Sequence, residues 1–138
     1  MEYRPLQPLR SHPILDLEGV WTLRFGAFGC LESDMLGGIV HVQGDRLIGG
    51  DSYFVYAGCT EAVGTELTGW LEIRRHRDAP SSACLWENTE TVYRLRFVAE
   101  ALSADRIEGR LTRPGFPDKH LSMCRLLTMP CSVTDSGA

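Results

Sequence analysis

The sequence predicts an all-β domain, a single antiparallel meander of about eight short strands closed into a barrel. Two observations carry this. Apolar and polar residues alternate with a period of two in segment after segment between residues 20 and 127, and no segment has a helical apolar period. Turn-forming glycine, proline and aspartate recur at short intervals, as tight hairpins require. An open sheet of this kind leaves two edges of unpaired backbone groups, and closing it on itself removes both. A two-sheet sandwich satisfies the same periodicity, so the pattern alone leaves it as the alternative.

The elements follow in chain order. Pro5, Pro8 and Pro13 exclude a regular helix or central strand, so residues 1–18 are expected to run extended ahead of a barrel domain at 19–129. A first strand at 20–25 sets Trp21, Leu23 and Phe25 on one face and Thr22 and Arg24 on the other. The second, 38–43, turns through Gly44-Asp45 into a third at 46–48. Gly49-Gly50-Asp51 breaks the pattern, which resumes as a fourth strand at 52–57. In the fifth, 66–76, Leu67, Gly69, Leu71 and Ile73 alternate with Thr68, Trp70, Glu72 and Arg74. Residues 77–91 form a long irregular loop. Strands at 92–100 and 106–112 align Tyr93, Leu95 and Phe97, then Ile107, Gly109 and Leu111. The turn-rich 113–118 leads to an eighth strand at 120–127, followed by a polar tail at 130–138.

Composition bounds the function. A chain of 138 residues, 43% hydrophobic and 23% charged, fits one ordinary globular domain. A net charge of -4 with scattered basic residues argues against nucleic acid as a partner. No apolar run is long enough to span a membrane, and the N-terminus lacks the apolar core of a signal peptide, so a cytoplasmic location is expected. The five cysteines include no Cys-x-x-Cys pair and the four histidines stand far apart, so neither a disulfide framework, a metal site nor a cofactor is expected. Nucleophile, phosphate-loop and dinucleotide fingerprints are absent, and Asp51 has no titratable partner visible in sequence, so no catalytic residue is assigned and the chain is read as a non-enzyme.

Gly19-x-Trp21 at the head of the first strand resembles the opening of lipocalin and calycin barrels. That resemblance implies that Trp21 closes one barrel end beneath a basic residue of the last strand, Arg125, with Arg113 the alternative. A longer resemblance comprises residues 19–25, then 38–51 with Gly49-Gly50-Asp51, then Tyr56-x-Gly58, then a strand ending in Arg75-His76. Over 19–127 the chain is similar to the GrlR family of negative regulators of type III secretion. The resemblance implies a small lipocalin-like barrel, a homodimer, and action by sequestering a transcriptional activator rather than touching DNA. Gly19, Trp21, Gly49, Gly50, Asp51, Tyr56, Gly58 and Arg125 are then structural motif residues. Where that family presents a run of acids after Tyr-x-Gly, this chain has only Glu61 and Glu66 at 59–66, and these are the candidate partner-binding residues. The Gly-Gly-Asp element also has a local account, in which the glycines turn the chain and Asp51 accepts nearby backbone N–H groups.

The expected function is therefore that of a binding module for a regulatory protein. The alternative is a carrier of a small apolar ligand inside the barrel, lined by Trp21, Leu23, Phe25, Tyr53, Leu71, Ile73, Tyr93 and Phe97, residues that an ordinary packed core would also use. Trp70, with Phe54 or Tyr56 if these face outward, supplies the aromatic surface for the expected homodimer.

Overall fold

The structure, a computed structural model, describes residues 16–86 and 90–128. The polar tail expected at 130–138 and all but the last three residues of the extended N-terminal segment, Pro5, Pro8 and Pro13 included, lie outside the described residues. Eight strands follow in order: β1 Gly19–Gly26, β2 Leu36–Gln43, β3 Arg46–Gly50, β4 Phe54–Val63, β5 Glu66–Arg75, β6 Val92–Ser103, β7 Arg106–Arg113 and β8 Phe116–Leu127. Each pairs antiparallel with its chain neighbours, and β8 returns to β1, so the sheet is a closed barrel rather than a sandwich. Single 3-10 turns lie at Glu32–Asp34 and Ser81–Ala83.

The alternation predicts which side chains point inward. Trp21, Leu23, Val40, Val42, Tyr56, Leu71, Leu95, Ile107, Leu111 and Leu121 are almost fully buried, and Phe25, Ile73 and Phe97 join them. Removing such apolar surface from water contributes roughly 25 cal/mol per Å² and is the main force holding the sheet closed. Phe54 and Tyr56 belong to this interior, so of the three aromatic residues proposed for an outer surface only Trp70 faces outward. Tyr53 stands in the β3–β4 connection rather than on an inner strand face, half-buried against the core.

Several strands are longer than the pattern predicts. β3 continues through Gly49 and Gly50, which pair with Tyr56 and Val55, so the glycine pair does not end the strand. Gly49 is there because a Cβ would lie 2.0 Å from the Ile39 oxygen, and at Gly58 it would lie 2.0 Å from the Trp70 oxygen. Strands coiled tightly enough to close a small barrel bring neighbouring backbones to this distance. β4 likewise runs to Val63, six residues beyond the expected end of the fourth strand at 57, which leaves a turn of only Gly64-Thr65 before β5.

Candidate functional site

One end of the barrel is sealed. Trp21 Nε1 donates to the Leu17 carbonyl at 2.9 Å, and Arg125, its register partner on β8, lies with Cζ 4.4 Å from the Trp21 ring centre. Arg125 donates to the carbonyls of Glu18 at 2.7 Å, Asp16 at 2.6 Å and Ala104 at 3.0 Å, and its Nε to Asp105 Oδ1 at 3.1 Å. Gly19 completes the seal, since a Cβ there would fall 2.3 Å from the Leu127 oxygen. Arg125, not Arg113, therefore covers Trp21. Trp21 Nε1 and all three nitrogens of the Arg125 guanidinium are thus hydrogen-bonded within the chain.

At the opposite end, the two family-like motifs meet in one network. Asp51 Oδ1 accepts the Tyr53 and Phe54 N–H groups, both at 2.8 Å, and Oδ2 accepts the Tyr56 hydroxyl. His76 Nε2 lies 3.2 Å from the Asp51 carbonyl oxygen, and the His76 N–H donates to Tyr53 at 2.8 Å. Burial pushes the Tyr56 hydroxyl far above its ordinary pKa, and the hydrogen bond to Asp51 and the Asp51 charge add to this. Asp51 is thus the turn-forming acceptor expected from sequence, with both oxygens occupied. Beside it, Arg113 lies with Cζ 4.0 Å from the Phe116 ring centre, 4.3 Å from Tyr93 and 5.7 Å from Trp86, and pairs with Glu90.

The outer wall of β5, β6 and β7 carries the remaining chemistry. Trp70 faces outward there, half-buried, with Arg94 Cζ 4.2 Å over its ring and Arg96 directly opposite on β6. A hollow of about 860 Å³ passes Cys59, Glu61, Thr68, Trp70 and Arg96, and one of about 590 Å³ lies between Trp70, Arg94, Arg96, Thr112 and Pro114. A third, of about 800 Å³, is lined by Phe28, Glu66, Val98, Glu100, Glu108 and His120. Register places Glu66, Glu100 and Glu108 side by side across three strands, an arrangement of like charges that weakens a sheet.

Within that row, Glu108 is well supplied with donors. Burial opposes its charge, but hydrogen bonds from Ser122 at 2.9 Å, Arg106 at 2.8 Å and His120 at 2.6 Å outweigh this and hold the carboxyl below its usual pKa. Ser122 and His120 both engage the carboxylate rather than each other, so the trio is not a nucleophile with its base. Among the described residues, no group of three His, Cys, Asp or Glu is placed to hold a metal, and no helix is long and apolar enough to cross a membrane.

Of the residues singled out from sequence, Trp21 and Arg125 come together at the sealed end, and Asp51 and Tyr56 at the other. Glu61 on β4 and Glu66 on β5 are exposed, and the candidate chamber residues belong to the core or, like Tyr53 in its connection, pack against it. Glu100, Glu108, His120 and the ring box of Arg113 escaped the sequence, because cross-strand neighbours are set by register and not by spacing. No protein-family model matches the chain, and no curated protein proves similar to it.

Proposed function

We propose that this protein is a non-catalytic binding module that engages another protein through the outer wall of β5, β6 and β7. The free protein is a cytoplasmic homodimer, and it acts in the transcriptional or secretion control that the GrlR resemblance implies. The observation that carries this reading is Trp70, an outward tryptophan at the meeting of two hollows with Arg94 stacked on it. Tryptophan and arginine are the residues most enriched where protein interfaces gain their affinity. Glu61 and Glu66 border the hollows on this wall, where a docked partner would meet them. The nearly complete burial of Trp21, Tyr56, Leu71 and Leu95 inside the barrel supports binding on its outside over carriage within.

Native mass spectrometry of the protein purified gently from its own host tests the proposal. The wild type should carry a second protein that Trp70→Ser loses while circular dichroism reports an unchanged barrel. A wild type that carries no second protein, or a second protein that Trp70→Ser retains, would overturn it.

A further inference from the structure

We propose that the end of the barrel opposite Trp21 holds a second binding site, which receives the carboxylate head of a small organic acid between the guanidinium groups of Arg75 and Arg113. The Arg113 side chain is only 9% exposed, enclosed by the rings of Phe116, Tyr93 and Trp86. Its Nη2 meets Glu90, a carboxylate that is itself 54% exposed, while its Nη1 is buried with no hydrogen-bond partner among the described residues. Arg75, on β5 opposite the inward Phe54, presents a buried Nε in the same condition. Tyr93, on the strand between them, has its ring 4.3 Å from Arg113 Cζ and is the cross-strand neighbour of Ile73, two residues before Arg75.

A buried guanidinium N–H without an acceptor is strongly unfavourable, and a buried charge without a full counter-charge more so. Here two such donors of the same sign sit in one end of one barrel. Burial accordingly lowers the pKa of Arg113, as expected of a cation that has lost its water. Asp51, a further carboxylate of this end, is committed to Tyr53, Phe54 and Tyr56, and Asp118 to Arg110. An incoming carboxylate supplies acceptor oxygens for such donors, and the half-buried rings of Tyr93 and Phe116 flank Arg113 where an apolar body would lie. This site is separate from the outer wall, so it stands or falls independently of partner binding there.

The test is a titration of the full chain with benzoate at constant ionic strength, recording the side-chain Nε–H signals of arginine by NMR, with acetate and inorganic phosphate as comparators. Saturable movement of the Arg75 and Arg113 signals, with benzoate binding more tightly than acetate, is the expected result. Arg75→Gln should weaken benzoate by about tenfold, and Arg113→Lys, which keeps the charge but loses the fork, should do the same. Saturation by phosphate but by neither carboxylate would overturn the ligand assignment. No saturable shift with any of the three would mean that the chain's own groups complete both guanidiniums, and would overturn the site.

Discussion

Arg125 and Arg113 both lie over aromatic rings, yet their surroundings give them different roles. Arg125 spends its donors on the carbonyls of Asp16, Glu18 and Ala104, tying the chain before β1 to the β6–β7 turn. Arg125→Ala removes those charged hydrogen bonds and the contact with Trp21, and should destabilise the fold by about 2–4 kcal/mol. A lower urea midpoint at unchanged slope would report this, and Arg125→Lys should recover only part, since one ammonium does not span three carbonyls. Tyr56 and Tyr93 make a second residue-scale prediction. Burial, first among the causes, raises both hydroxyl pKa values in the fold, while the unfolded chain ionises near pH 10. Stability is therefore complete below about pH 10 and falls above it, by about 1.4 kcal/mol per pH unit for each tyrosine, until the folded pKa is reached. Urea unfolding between neutral and strongly alkaline pH measures the slope. Tyr56→Phe should be less stable at neutral pH, because Asp51 loses a donor, yet shallower in its alkaline decline.

Glycine is where the strands differ most in what a substitution does. At Gly58 an added Cβ meets the Trp70 oxygen at 2.0 Å, a backbone atom that moves only if β4 and β5 part. At Gly64, in the turn between the same strands, φ is +64° but nothing lies within 4 Å of an added Cβ. Gly58→Ala should therefore cost about 3 kcal/mol or more, and Gly64→Ala about 1–2 kcal/mol, a difference that thermal unfolding of the two variants resolves. The same contrast explains what was legible in the sequence. Side-chain alternation set the order and inward faces of the strands, because one face must be apolar wherever the other meets water. Glycines appear in sequence as breaks, so β3 and β4 were drawn too short; in the barrel, Gly49, Gly50 and Gly58 are paired strand residues at close backbone approaches. Trp21 with Arg125 was legible because a motif and a resemblance named both partners. The box around Arg113 was not, because Trp86, Tyr93 and Phe116 come from a loop and two strands with no common spacing.

At the scale of the whole molecule, charge on the outer wall is divided along the strands. One row holds Glu66, Glu100 and Glu108; two rows along the strands stand Trp70, Arg96 and Thr112, with Arg94 one row further still. Between them lie Thr68, Val98 and Arg110, and Arg94 faces Glu72. In the free protein, Glu66 and Glu100 at one end of this wall and Arg96 at the other would complement an antiparallel copy of it, the isologous contact of a two-fold dimer. In such a contact Glu100 of each copy faces Arg96 of the other, and the repulsion within the acidic row is relieved. Light scattering should then report a dimer at micromolar concentration that dissociates as salt is raised. Glu100→Arg and Arg96→Glu should each favour the monomer, whereas the double variant, which exchanges the two charges on both copies, should dimerise again. A stability effect alone does not produce that rescue. A monomer at every concentration, or a double variant no better than either single one, would rule out this dimer and leave the wall to a different protein.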